Sequence, residues 1–274
     1  MAAMRPCPGP AAGLTTAWGG SGAALQFSFD DTVIRVTVPD RAALLATVDA
    51  RLRAGQGFAL ATVNLDHLVK LRQVPAFRRA YAAHDLVVAD GNPVVWLSRL
   101  AQRPVALVPG ADMVVPLARC AAQAGAPVAL IGATAAALDA AAAALRAQVP
   151  GLALAMVAAP GMGFDPDGPE ADALLARLAD SGARLCLVAL GAPRQEMFAA
   201  RGHALLPAVG FASIGAGIDF VAGTQRRAPA WMRGLALEWA WRLGSNPRRL
   251  GGRYLRSAAI LPAEAVRAWR LRRR

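Results

Sequence analysis

The feature that most limits how this chain can fold is a repeated unit. A short apolar run ends at Gly, Asn or Asp, and a stretch with helical spacing follows. Gly57 to Val63 ends at Asn64, Leu86 to Ala89 at Asp90-Gly91, and Pro127 to Ile131 at Gly132. Leu152 to Ala158 runs into a Gly/Pro loop over 160–168, Leu185 to Leu190 ends at Gly191-Ala192-Pro193, and Ala208 to Ile214 at Gly215-Ala216-Gly217. Short apolar runs bounded by turn formers read as buried strands. The stretches 41–55, 66–83, 93–101, 112–125, 134–148, 170–181 and 195–202 read as helices. The first of them opens after Pro39-Asp40 and repeats Leu44, Leu45, Val48 and Leu52 at helical spacing. This alternation predicts an α/β fold, a mostly parallel Rossmann-like sheet with helices on both faces. Residues 26–37 read as a small hairpin around Asp30 and Asp31.

Beyond Gly223 the grammar changes. Residues 223–274 hold thirteen Arg against Glu238 and Glu264, so nearly all of the net charge of +12 lies there. Trp231, Leu235, Leu237, Trp239, Trp241 and Leu243 are interleaved with that charge, Pro247 breaks the pattern, and a helix over about 250–273 contains Pro262, which is expected to kink or divide it. A basic, aromatic appendage of this kind suits nucleic acid, an anionic membrane surface, or substrate phosphates. The organisation expected is a disordered leader over 1–22, an α/β core over 23–222, and the appendage over 223–274. No window of about 18 bulky apolar residues is free of turn formers and charge, so no membrane span is expected. Cys7, Cys120 and Cys186 follow no ligand spacing and read as free thiols.

The polar residues at the strand ends are the candidates for chemistry: Thr62, Asn64, Asp90, Gln195, Glu196 and Asp219. Asp90 suits either a helix cap before Gly91 and Pro93 or a general base, and the pattern alone does not choose. Gly132-Ala133-Thr134, between a strand and a helix, has the makings of a phosphate-cradling turn. It is shorter than a dinucleotide fingerprint and lacks the P-loop Lys. Gly215-Ala216-Gly217 is equally consistent with a tight turn. His67, His84 and His203 are scattered, and Asp85 and Asp90 sit at opposite ends of one strand, so no metal site is expected. His67, beside Asp66 near a helix start, reads as a capping or a substrate-contacting group.

Six ordered blocks then form a series: Thr62 to His67, Ala89 to Pro93, Val108 to Asp112, Gly191 to Glu196, Gly215 to Phe220, and Ala222-Gly223 with Arg226 to Trp231. Glu238-Trp239, Arg242-Leu243, Asn246 to Arg249 and Arg253-Tyr254 follow. Over roughly residues 25–256 the chain resembles the WecG/TagA/CpsF glycosyltransferase family. The resemblance implies inverting transfer of a hexose or N-acetylhexosamine from a UDP-sugar, without a metal or other cofactor. The acceptor it implies is a sugar on undecaprenyl diphosphate, in surface or exopolysaccharide synthesis at the cytoplasmic face of the inner membrane. It also implies peripheral binding to an anionic membrane surface, possible homo-oligomers and no nucleic acid.

By position, Asp90 resembles the family's proposed base, and Thr62, Asn64, Gln195 and Asp219 match its polar pocket residues. Gly132, Gly191, Gly215 and Gly217 are the substrate-approaching backbone positions. Arg226, Arg227, Arg233, Arg242, Arg248, Arg249 and Arg253 are the candidates to neutralise a leaving diphosphate, with Arg233 preferred. One departure stands out. Where relatives carry an Arg shortly before the third block, this chain has Leu107, so Arg103 or an appendage Arg is expected to compensate. A nucleic-acid-binding module and a non-catalytic scaffold of the polysaccharide machinery are the competing readings.

Overall fold

Two strands, β1 (Gln26–Phe29) and β2 (Thr32–Arg35), pair antiparallel as the expected hairpin. The structure, a computed structural model, describes residues 24–30, 32–225, 227–245 and 247–273, and of these the side chains of 230, 233, 242 and 249 lie outside the description. The leader expected over 1–22 lies outside the described residues.

After the hairpin come α1 (Arg41–Arg53), β3 (Phe58–Val63), α2 (Leu65–Gln73), α3 (Pro75–Ala82), β4 (Leu86–Ala89), α4 (Asn92–Leu100) and α5 (Gly110–Gln123). The order continues with β5 (Val128–Gly132), α6 (Ala135–Gln148), β6 (Leu154–Ala158), α7 (Pro169–Asp180), β7 (Leu185–Ala189), α8 (Arg194–Leu205) and β8 (Gly210–Ser213). The helix expected over 66–83 is two helices. Pro75 has no N–H to continue α2, and its ring drives Val74 into extended backbone (φ −121°, ψ 96°).

The main sheet has six strands in the order β4-β3-β8-β7-β5-β6, and all its pairings are parallel. Side chains alternate across it, and both faces are buried. Leu60, Val88, Leu130, Leu187 and Ala212 face α1, α5 and α6. On the opposite face Ala61, Val63, Val87 and Ala89 meet the hairpin and α2 to α4, while Ile131, Cys186, Val188 and Phe211 meet α7 and α8. A strand covered on both faces has no polar side, which is why these runs are apolar apart from Thr62 in β3 and Ser213 in β8.

The chain closes with α9 (Gly217–Val221), α10 (Ala230–Gly234), α11 (Glu238–Ser245) and α12 (Pro247–Leu271). Pro262 lies inside α12 and does not divide it. That helix packs on α2 and α4. Glu264, 3% exposed, pairs with Arg72 and Arg267; Arg253 reaches Asp66 at 3.3 Å; and Arg103 donates to the carbonyls of Ala24 (3.0 Å) and Leu271 (3.3 Å). Trp231, Leu235, Trp239 and Leu255 stay exposed.

At the amino ends of β3 and β4, Asp85 accepts from the Ala59 N–H at 2.9 Å and lies 3.3 Å from His203 and 3.6 Å from Arg51. Burial works against its charge, but the bonds from His203 and Ala59 and the field of Arg51 outweigh it and hold the carboxyl at about 2. A depressed pKa contributes stability above the unfolded value of about 4, lost as pH falls through the folded value. Asp85→Ala is therefore expected to lower stability by about 1–2 kcal/mol at pH 7. Urea melts should show that gap shrinking by about pH 3; a gap of constant size would rule out the charge as its source.

Candidate active site

In a parallel sheet all carboxyl ends share one edge, and loops there are free to carry function. Here the strand order also reverses: the chain leaves β5 toward β6 but leaves β7 toward β8. Thr62, Asn64, Asp90, Gln195 and Asp219 lie at or just beyond strand exits on that edge.

Val63 of β3 pairs in register with Ala89 of β4, so the next residues, Asn64 and Asp90, stand side by side. The Asp90 N–H donates to the Val63 carbonyl at 2.8 Å, and the Asn64 amide donates to the Asp90 carboxylate at 3.4 Å. Asn64 is oriented by its second bond, accepting from the His67 N–H at 3.1 Å as the N-cap of α2. The helix after Asp90 begins at Asn92 with Gly91 (φ 109°) in the cap position and no side-chain cap bond. The cap position of α4 is therefore Gly91, and Asp90, one residue before it, is partly exposed at the strand edge.

Thr62 is buried beneath the start of α5. A Cβ at Gly110 would come within 3.1 Å of its methyl, so the pair fixes how closely that helix approaches β3. Two of the glycines are packing residues: a Cβ at Gly132 (φ 115°) would sit 2.4 Å from the Ala189 carbonyl oxygen, and one at Gly217 would sit 2.5 Å from Val114. Gly191 and Gly215 instead face open space.

Gln195 is 2% exposed, and both ends of its amide are engaged. Its oxygen accepts from the Gly191 N–H (3.2 Å), and its nitrogen donates to Glu196 (2.8 Å). It lies under the β7 exit loop, with one N–H and one lone pair left over. The same loop is held from the side by Lys70, which donates to the Ala192 carbonyl at 2.9 Å and to Asp66 at 2.7 Å. Asp219, on α9, accepts from the Gln225 amide at 3.2 Å, and its carbonyl closes the turn through Thr224 and Gln225.

The appendage brings Arg227 to this edge. It pairs with Asp112 in the first turn of α5 and lies over the Phe220 ring at 5.2 Å. Burial disfavours its charge, but Asp112, with Glu238 and Asp90 also contributing, raises its pKa. The side chain of Arg233, preferred from sequence, lies outside the described residues. Arg103 is a tether for main-chain carbonyls, so of the two expected substitutes for the missing Arg at Leu107, the structure brings an appendage Arg to the edge. Among the described residues no three His, Cys, Asp or Glu are grouped to hold a metal.

Compared with known families, residues 31–274 match the Glycosyl transferase WecG/TagA/CpsF family. The chain belongs to that family. It is accordingly an enzyme, a sugar transferase. Three parts of this glycosyltransferase were not assigned from sequence. Asp112 was visible only as the last residue of a family block, and its partnership with Arg227 spans 115 positions. Lys70, the single lysine of the chain, gave no hint of its reach to Ala192. Glu196 reads from sequence as a strand-end polar residue, whereas the structure buries it completely on α8.

Lys70→Met keeps the apolar stem and removes the donor that holds Ala192. Trypsin cleavage after the exposed Arg194 is expected to speed up by about tenfold in the variant, the mark of local opening rather than global unfolding. An unchanged rate would show that the loop keeps its shape without the lysine.

Proposed function

We propose that this glycosyltransferase moves a hexose or N-acetylhexosamine, with inversion and without a metal, from a UDP-sugar to a sugar on undecaprenyl diphosphate, in surface or exopolysaccharide synthesis. The observation that carries the reading is the Asn64–Asp90 pair at the carboxyl edge of the sheet, with Arg227 near enough to feel the Asp90 charge. In the step proposed, the acceptor hydroxyl oxygen bonds to the anomeric carbon while the bond from that carbon to the diphosphate oxygen breaks. The hydroxyl proton passes to Asp90, and UDP leaves with the bonding electron pair. Asn64 orients the carboxylate, and Arg227 offsets charge growing on the diphosphate. Gly191 and Gly215, at open turns, give backbone access. Thr62, Gln195, Gly132 and Gly217 shape the site from beneath, and Asp219 lines it from α9.

The appendage, taken as residues 223–274, supports docking on an anionic membrane surface from the cytoplasmic side. Among the described residues no helix is long and apolar enough to cross a membrane. Trp231, Leu235 and Trp239 are each at least half exposed, in a segment dense with Arg. Indole and guanidinium groups both favour the headgroup region.

The test is transfer in detergent from a panel of UDP-sugars, UDP-glucose and UDP-N-acetylmannosamine included, to a synthetic prenyl-diphosphate-linked sugar, with and without EDTA. Product that survives EDTA and falls by at least about a hundredfold in Asp90→Asn is expected. Equal rates in the variant would remove Asp90 as the base, and loss of product with EDTA would remove the metal-free step.

A further inference from the structure

One layer beneath the Asn64–Asp90 pair lies a second polar cluster that no step of the transfer uses. Glu196 is fully buried on α8, next to Gln195 and against α2 and α3. One carboxyl oxygen accepts from the Gln195 amide at 2.8 Å and stands 3.9 Å from the ring of His67; the other is buried with no hydrogen-bond partner among the described residues. On its other side the His67 ring meets the Tyr81 hydroxyl at 3.3 Å, and both are buried. A carboxyl in such a place is a net cost that a leucine of similar volume would avoid. Its retention calls for a task that an apolar side chain cannot perform.

The hydrogen bonds indicate the task. The Gln195 amide is a two-ended link: the Gly191 N–H can only meet its oxygen, which leaves the NH2 end in need of a buried acceptor. A carboxyl oxygen at 2.8 Å takes the NH2 end, so the amide oxygen is turned to the Gly191 N–H. On the other side the His67 ring meets Tyr81, and the His67 main-chain N–H donates to Asn64, whose amide reaches Asp90. Glu196 is where the set from the β7 exit, Gly191 and Gln195, meets the set from the β3 and β4 exits, His67, Asn64 and Asp90.

We propose that Glu196 is a positioning residue for the transfer reaction, fixing the Gln195 amide beside the His67 ring so that the β7 exit loop and the Asn64–Asp90 pair keep a common geometry. The proposal rests on the reading of that pair as the reacting site. The charge state fits a task done by hydrogen bonding. Burial pushes the Glu196 carboxyl up to about 7, against the hydrogen bond from Gln195, and burial pushes His67 down to about 3. The groups facing Glu196 are Asp66, His67 and Lys70 on α2, Tyr81 on α3 and Gln195 on α8; Lys70 favours its ionised form, Asp66 opposes it, and Arg253 of α12 pairs with that Asp66. Tyr81, its pKa raised by burial, stays a phenol. Below about pH 7 the cluster is thus neutral acid, neutral imidazole and phenol. Above that pH a buried negative charge forms inside the cluster.

The sign of the pH effect follows. A carboxyl whose folded pKa lies above its unfolded value contributes most at low pH, and that contribution is lost as pH rises from about 4.5 through about 7. The E196Q side chain keeps an oxygen for the Gln195 amide and cannot ionise; E196L keeps neither property. Two readouts are taken on the full chain: amide hydrogen exchange at Gly191, which needs no substrate, and kcat between pH 6 and 8 with the UDP-sugar and prenyl-diphosphate acceptor that wild type turns over. E196L is expected to exchange the Gly191 amide at least about tenfold faster and to lose at least about tenfold in kcat. E196Q is expected to restore both to within about threefold at pH 6, and to lack the wild-type fall in kcat toward pH 8.

A folded E196L with wild-type exchange and kcat would overturn the proposal, as would an E196Q profile that follows wild type through pH 8. Should E196L not fold, the E196Q profile decides alone. Asp90→Asn measured alongside separates the two levels. Full activity there removes the reading of the site itself, whereas a dead Asp90→Asn beside an unaffected E196L removes only the role of Glu196.

Discussion

The structure depends first on the obligation of a parallel sheet to be covered on both faces. Parallel strands need long crossovers, the crossovers here are helices, and helices on both sides leave no polar face for the strands. Two consequences follow together. The strands are apolar but for the small hydroxyls of Thr62 and Ser213 near their carboxyl ends, so most polar groups appear at the exits. All exits also fall on one edge, so residues far apart in sequence converge there, as Asn64 and Asp90 do from adjacent strands in matched register.

That edge is built in layers. The upper layer is Asp90 and Asn64, with Arg227 supplied by the appendage and anchored by Asp112. Beneath it, Gln195, Glu196, His67 and Tyr81 form a polar core among apolar helices. Glycine serves both layers, at Gly132 and Gly217 by letting backbone and helix come closer than any Cβ would allow. The opposite edge is plainer. Asp85, with Arg51, His203 and the Ala59 N–H, locks the starts of β3 and β4, as suits an edge whose task is stability.

The appendage joins the two ends of this design. Its last helix lies along α2 and α4 and is fastened by Arg72–Glu264 and Arg253–Asp66. Asp66 also holds Lys70, which holds the β7 exit loop at Ala192. The docking of the basic segment and the shape of the site edge therefore share a residue. The exposed Trp231, Leu235 and Trp239 are left on the surface of the same segment.

By itself the sequence determined the class of fold, the places where strands end, and the family. Each follows from local information: apolar runs of strand length, turn formers after them, and ordered motif blocks. It also determined that Asp90 and Asn64 stand at strand exits. It misjudged 66–83 as one helix because two short helices around Val74-Pro75 keep a continuous helical pattern, and the break is a matter of one missing N–H. Only the tertiary structure decided which exits are neighbours, since the strand order β4-β3-β8-β7-β5-β6 is set by packing and is not written in any local spacing. It alone separated glycines that pack from glycines that open onto space, and put the Gln195 amide under the loop. For the same reason, that burial depends on what comes to lie on top, it made Glu196 a fully buried acid.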